Sequence, residues 1–364
     1  MATNLLNIYH TKRLNEVVFP GAHDAGTFAA TLGDNVRTQG VDVAAQAALG
    51  CRYFDVRVAN RKVGHGATAR IERTTFHAPS TSNQVSKNKS GTNLGTYQNL
   101  GIGGDWGDSL NNILTQAHAF VTNGATSSEF LILRFSKSSD YPGIVAACNN
   151  ILGATLYKRG GDLGTHLLSD LAGHVVTVYA NSGGDRVDAQ YTCAADGVIR
   201  IRELFNKNGA PQTYDPTFNG FQYFGKNSDT KNVAKNTRKQ LQQMTARVHQ
   251  DAVGMMYWTL TGIAFKGSIM SRMAGLWANS SLSATWDSGL RTSIAQRVGN
   301  MSALEKAGAM SSQNLKAFMP NIIMVDAVDA TKCNTIFGLN AVGSQQLTNL
   351  YAEEEQRLRD LVIG

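Results

Sequence analysis

The sequence predicts an α/β fold, a (β/α)8 barrel, on three observations. Eight short runs rich in β-branched and aromatic residues are bounded by Gly, Ser, Asn or Pro. Amphipathic segments lie between several of them. Several runs are almost continuously apolar, as parallel strands covered on both faces are. A doubly wound sheet is the alternative for the same alternation. The chain has 364 residues with no internal repeat and no Pro-rich linker, so one domain spanning 1–364 is expected.

The strand-like runs, in order, are "EVVFPGA" (16–22), "RYFDVRVA" (52–59), "RTTFHA" (73–78) and "EFLILRFS" (129–136). "HVVTVYA" (174–180), "GFQYFG" (220–225), "GMMYWTL" (254–260) and "NIIMVDAV" (321–328) follow. "DVAAQAALG" (42–50) reads as a helix stopped by Gly50. "GDSLNNILTQAHAFVTNG" (107–124) reads as a helix capped by Asp108 or Ser109 and ended by Asn-Gly. "YPGIVAACNNILG" (141–153) and the tail 344–364 have the same character. Three long polar or mixed stretches, 80–107, 226–240 and 265–289, follow the third, sixth and seventh runs. In a barrel, loops in that position lie on the face that carries chemistry.

Charged residues are sparse, 17% against about 25% in an average protein. The net charge of +7 therefore reflects few acids, not dense basic blocks. Such a surface suits an anionic partner, and nucleic acid, resting on charge alone, ranks last. The four cysteines form no CxxC pair and no zinc spacing, and read as small buried thiols, two bridges being the alternative. The N-terminus lacks the apolar core of a signal peptide, and no run approaches the roughly 20 residues of a membrane span. The expectation is a protein exported without a visible signal peptide, already trimmed, or cytoplasmic.

Polar residues cluster where the apolar runs end. His23 and Asp24 end the first run, Asp55 and Arg57 the second, and His77 the third. Arg134, Ser136 and Lys137 end the fourth, and Asp326 the eighth. In a barrel all of these converge on one mouth. A phosphodiester needs a base for the attacking hydroxyl, an acid for the leaving oxygen and a cation for the phosphate. His23 and His77 supply imidazoles that titrate near neutrality. Arg57 offers a bidentate fork. Asp326 can fix the tautomer of His23. His10, His118, His166, His174 and His249 belong to no such constellation and read as structural or surface residues.

On these residues the chain resembles the X-domain of phosphatidylinositol-specific phospholipase C, in its bacterial metal-independent branch. "PGAHDAGTF" is similar to the first-strand motif, and "RTQGVDVAAQAALGCRYFDVRV" (37–58) to the segment carrying Thr-Gln and the second strand. "TFHAP", "GDSLNNILTQAHAFVTNGATSSEFLILRFSK", "MMYWTLTG" and "NIIMVDAVD" are similar to later motifs. The resemblance is dense over 16–137 and 254–329. It implies a distorted (β/α)8 TIM barrel of the phospholipase C-like phosphodiesterase type, its core at about 16–329, with a C-terminal helix at about 344–362. It implies attack by the inositol 2-hydroxyl, giving a cyclic inositol phosphate and diacylglycerol. His23 would be the base, Asp326 its partner, His77 the acid helped by Asp24, and Arg57 the phosphate ligand. It implies no metal and no other cofactor, since Asp24 and Arg57 stand where calcium-dependent members have Asn and a carboxylate. It implies a monomer acting peripherally on phospholipid at a membrane surface.

The chain also departs from the pattern. The gap from Arg57 to His77 is long and contains His65, an alternative acid. The arginine expected near the end of strand five and the Gln-Asp-x-Tyr motif of strand six are missing, which leaves Lys137, Tyr179, Gln222 and Tyr223 as head-group candidates. Trp277, Trp286, Met270 and Met273 could meet a lipid interface or simply pack. A metal-dependent phosphodiesterase would need a Glu-x-Asp pair where Asp55-Val56-Arg57 stands. A diesterase for another head group and a non-catalytic phosphoinositide binder are the other readings.

Overall fold

The computed structural model describes residues 5–31, 36–78, 96–97, 100, 104–182, 185–205, 212–246, 251–260, 320–341 and single positions 277, 352, 356, 359 and 360. The strands are β1 (Phe19–Ala22), β2 (Tyr53–Val56), β3 (Val58–Val63), β4 (Arg70–His77), β5 (Thr96–Tyr97), β6 (Asp105–Ser109) and β7 (Leu131–Phe135). Then come β8 (Val175–Tyr179), β9 (Asn181–Ser182), β10 (Asp185–Arg186), β11 (Val198–Glu203), β12 (Gly220–Phe224), β13 (Val253–Trp258) and β14 (Ile322–Val325). The helices are α1 (Leu5–Tyr9), α2 (Val43–Leu49), α3 (Leu110–Thr122), α4 (Tyr141–Leu152), α5 (Leu168–Leu171), α6 (Cys193–Asp196) and α7 (Val233–Ala246). Residues 330–341 are also helical.

Eight strands close a barrel in the order β1-β14-β13-β12-β11-β8-β7-β2. Every pairing within it is parallel. The fold is therefore a distorted (β/α)8 barrel. Alternation along each strand divides the apolar residues between two cores. Tyr53, Ile132, Val178, Ile201, Phe221, Tyr223, Met255 and Met324 fill the lumen and its floor. Phe54, Leu133, Tyr179, Val198, Met256 and Val325 face outward onto α2, α3 and α4. The lumen is tight: a Cβ on Gly21 would lie 2.5 Å from the Met324 sulfur. The helices start as their sequences dictate. Asp42, Ser109 and Asp140 cap α2, α3 and α4 by accepting from Ala45, Asn112 and Gly143 N–H groups.

Three expectations need correction. The run 73–78 is no barrel strand: it belongs to β4, inside a four-stranded sheet ordered β5-β3-β4-β6 beside the barrel. The run 52–59 is split, β2 staying in the barrel and β3 leaving it for that sheet. The barrel's place is taken by β11, "VIRIRE", whose outward Arg200 and Arg202 break the apolar run sought for a covered strand. These arginines are bonded, Arg200 to the Asp188 and Tyr191 carbonyls and Arg202 to Asp215. Third, the polar stretch 226–240 is not all loop, because α7 begins within it. All four cysteines are buried free thiols. Trp277 packs against the outer core. Trp286, Met270 and Met273, the tail helix apart from its single positions, and most of 80–107 lie outside the described residues.

Candidate active site

The site is assembled at the C-terminal ends of the barrel strands. β1 stops where Asp24 takes a left-handed conformation (φ 46°), a backbone state costly for a residue with a side chain. The turn is held by Thr38 and Gln39. The Thr38 hydroxyl donates to the His23 and Asp24 carbonyls, and the Gln39 amide to the His23 and Val325 carbonyls. Gln39 also accepts from Val328 N–H. One dipeptide thus ties the end of β1 to the end of β14, and His23 to Asp326. The His23 Nδ1 lies 2.9 Å from Asp326 Oδ1.

His77 reaches the mouth by another route, on the last residue of β4. The sheet docks on the turn 25–29 through contacts that leave no space for side chains. A Cβ on Gly107 would lie 2.2 Å from the Gly26 carbonyl oxygen, and one on Gly26 would lie 2.4 Å from the Thr75 hydroxyl. Thr75 donates from that hydroxyl to the Gly26 and Asp108 carbonyls. An ion pair of Arg73 with Asp140 (2.8 Å) also ties β4 to the start of α4. The His77 Nδ1 then meets Asp24 Oδ2 at 2.7 Å.

Asp24 lies between the two imidazoles, its Oδ2 3.8 Å from His23 Nε2, and Arg57 packs against it. The Arg57 Nη2 is 3.1 Å from His23 Nε2 and 3.0 Å from Asp55 Oδ2. Its Nε is 2.8 Å from Asp24 Oδ1, close enough for strong attraction but too bent for a hydrogen bond. Ser136 donates to Asp55 Oδ1. Burial resists the His23 imidazolium, but Asp24 and Asp326 outweigh it and raise its pKa above the ordinary value. Burial also resists ionisation of Asp24, yet Arg57, His23 and His77 hold it well below the usual carboxylate range. Asp55 is likewise lowered, Arg57 and Arg134 outweighing its burial. With His23 neutral, the network assigns its proton to Nδ1, facing Asp326, and leaves the Nε2 lone pair toward Arg57.

The structure brings His23, Asp24, Arg57, His77 and Asp326 together. Lys137 stands at the rim in a left-handed conformation (φ 53°), solvent-exposed as a residue although its surroundings are dense with protein. The Arg57 guanidinium, and then burial, bring its pKa down to about 8. Tyr223 projects into the lumen. The Tyr179 and Gln222 candidates are corrected: strand alternation turns both outward. Tyr179 packs on Phe135 and Tyr141, its hydroxyl 3.7 Å from Cys148 Sγ. Gln222 bonds to Asp215 and Asp162. His65 lies at the exposed far end of the β3–β4 hairpin, beyond the Val63–Arg70 pair. At about 3.3 Å per residue that is roughly 20 Å from His77 along the strand. His118, His166 and His174 bond to Thr155, Tyr157 and the Ala172 carbonyl, away from the mouth.

Below the imidazoles lies a polar layer that the sequence reading did not assemble. Arg134 donates to Tyr257 (2.8 Å), Tyr223 (3.1 Å) and Glu203 (3.3 Å), and Tyr223 donates to Glu203 at 2.6 Å. Glu203 follows Ile199 and Ile201 on the inward face of β11, so period-two alternation was the signal for it. His23, Asp24 and Asp55 offer ligand atoms within 4.8 Å of one another, a set a divalent cation could use. The Arg57 guanidinium already reaches all three of those side chains. Chemically, the site offers two imidazoles, each oriented through Nδ1 by a buried carboxylate, and a guanidinium beside His23 and Asp24.

No protein-family model matches the sequence, and no curated protein does. Among solved structures, the chain is similar to the phosphatidylinositol-specific phospholipase C of Listeria monocytogenes: 13% identity, 90% of this chain and 94% of that one covered, TM-score 0.49. It is similar to the Staphylococcus aureus phosphatidylinositol-specific phospholipase C at 14% identity, covering 92% and 94%, with TM-score 0.49. It is also similar to a calcium-dependent phosphoinositol-specific phospholipase C from Pseudomonas at 11% identity, covering 69% and 84%, with TM-score 0.36.

Proposed function

We propose that the protein is a phospholipase C-type phosphodiesterase that cleaves phosphatidylinositol to diacylglycerol and inositol 1,2-cyclic phosphate. The observation that carries this reading is the pairing of two carboxylate-held imidazoles with one guanidinium. The His23 Nε2 takes the proton of the inositol 2-hydroxyl, whose oxygen attacks phosphorus. The bond from phosphorus to the glycerol oxygen breaks, and His77, protonated, gives that oxygen its proton. Asp326 and Asp24 orient the two rings and stabilise their charged forms. Arg57 exchanges its hydrogen bond to His23 for the phosphate oxygens and offsets the charge that grows there. Because Arg57 supplies the cation, the reaction needs no metal.

The lumen layer of Arg134, Glu203, Tyr223 and Tyr257 suits a polyhydroxyl head group, with both donors and acceptors, and Lys137 closes its rim. The substrate lies in a membrane, so the protein works as a peripheral, monomeric enzyme. No helix among the described residues is long and apolar enough to cross a bilayer. Phosphorus NMR of phosphatidylinositol vesicles incubated with the protein in excess EDTA tests the reading. A cyclic inositol phosphate resonance is expected, with His23→Ala slower by roughly a thousandfold while still folded, as its circular dichroism shows. A fully active His23→Ala protein, or turnover only with added calcium, would overturn the mechanism.

A further inference from the structure

The segment 226–246 continues β12 from the same end of the barrel as the catalytic groups. It contains Lys226, Lys231, Lys235, Arg238 and Lys239 against a single acid, Asp229, and no aromatic residue. Polar pegs fix the rotation of α7. Asn236 donates to the Tyr257 carbonyl, Gln240 donates to the Lys226 carbonyl and the Ser228 hydroxyl, and Gln240 and Gln243 accept from Tyr257 and Lys226 N–H groups. Positions 236, 240 and 243 lie on one helical face, three and four residues apart. That leaves Lys235 and Arg238 exposed on the other face, with Lys231 exposed just before the helix. The anchor is Tyr257, whose hydroxyl accepts from Arg134 in the lumen, so the helix is fixed to the wall of the site. Between α7 and Phe205 lies a cavity of about 500 Å³ with Lys226 and Lys239 in its wall.

We infer that this cationic shelf docks the protein on an anionic phospholipid bilayer with the barrel mouth turned toward the head groups. The inference rests on the lipid-substrate reading for its orientation. Charge complementarity selects the partner: five cations against one acid, beside a mouth that must reach a lipid. An acidic leaflet attracts each such cation, and salt screens the attraction beyond about 10 Å. The absence of aromatic side chains from the shelf removes the stacking platform that single-stranded nucleic acid uses. The cavity gives Lys226 and Lys239 a recess sized for a head group, and Phe205 is the one apolar side chain among the residues lining it.

The test is flotation of the full chain with vesicles of phosphatidylcholine mixed with phosphatidylglycerol, and with phosphatidylcholine alone, no phosphatidylinositol being present. The wild type is expected to float with the anionic vesicles only, and to be released by salt. A variant carrying Lys231→Gln, Lys235→Gln and Arg238→Gln is expected to bind roughly a hundredfold more weakly, about fivefold for each cation removed. Its rate on a monomeric short-chain phosphatidylinositol should equal the wild type's. Wild-type protein that ignores anionic vesicles, a variant that floats as the wild type does, or capture of duplex DNA in place of vesicles would overturn the inference. If the shelf governs flotation and neither protein hydrolyses phosphatidylinositol, docking stands and the proposed chemistry falls.

Discussion

The barrel buries ionic groups at both of its ends, and the two clusters are built differently. At the floor, Arg52 and Glu129 sit just before β2 and β7, both essentially inaccessible to water. Arg52 Nε meets Glu129 Oε2 at 2.7 Å, and Arg52 Nη1 donates to the Ala47 and Cys51 carbonyls. Glu129 Oε1 accepts from Leu6 N–H, and the guanidinium lies over Phe120. One cation meets one anion, and the carboxylate oxygens are each engaged. At the mouth, His23, Asp24, Asp55, Arg57, His77 and Asp326 crowd together, and hydrogen bonding is incomplete. Among the described residues, Asp326 Oδ2 is buried without a hydrogen-bond partner, and Asp24 Oδ1 meets Arg57 Nε as an ion pair at 2.8 Å without a hydrogen bond. Leaving a buried carboxylate oxygen without a hydrogen bond is costly, so the mouth forgoes stability that the floor keeps. The floor pair satisfies its own charges, whereas the mouth cluster does not satisfy all of its own.

The sharpest way to break this contrast is at the floor. Glu129→Gln leaves the Arg52 charge buried without its partner, which should cost about 3–5 kcal/mol of stability. Denaturant unfolding reads that loss, and the specific activity of the molecules that stay folded should not change. A second experiment disturbs the mouth without touching a charge. Gly107→Ala places a methyl group 2.2 Å from the Gly26 carbonyl oxygen and must push β6 and β4 away from the turn that carries Asp24. Displacing His77 by about an ångström should slow turnover by roughly a hundredfold, seen as a fall in kcat of the folded protein beyond the roughly 1–3 kcal/mol of stability that overpacking costs.

The smallest effect concerns pH. His23 must be neutral to act as a base, and its pKa is raised, so the acid limb of kcat/KM should lie above about 6.5. The same raised pKa stabilises the fold fully below the unfolded value of about 6.5, and that contribution is lost as pH rises through the folded value. Activity and this part of stability therefore run in opposite directions. Asp326→Asn removes one of the carboxylates that raise the pKa, and should move both transitions to lower pH. Coinciding profiles for wild type and variant would detach Asp326 from His23.

Much of the mouth was legible because its residues interrupt apolar strands abruptly: His23 after "VVFPGA", Asp326 after "NIIMV". His77 was legible by identity but not by route, since its position depends on Gly26, Gly107 and Thr75 meeting across elements distant in sequence. The count of eight barrel strands came out right with one wrong member. β4 has the composition of a covered strand but pairs antiparallel outside the barrel. β11 belongs to the barrel and carries outward arginines, because hydrogen bonds and an ion pair to the 188–215 region satisfy them there. Tyr179 and Gln222 were misread by one residue of parity. Val178 and Tyr223 face the lumen, so their neighbours cannot.

The bond between His23 and Asp326 joins side chains 303 residues apart, one leaving the first barrel strand and one the last. During synthesis the imidazole emerges early and its carboxylate late. Every nascent or truncated chain that lacks β14 therefore has a His23 imidazole with no carboxylate at its Nδ1, however well the rest has collapsed. The seam of the barrel works as an interlock, and the proposed cleavage should appear only with the final closing strand.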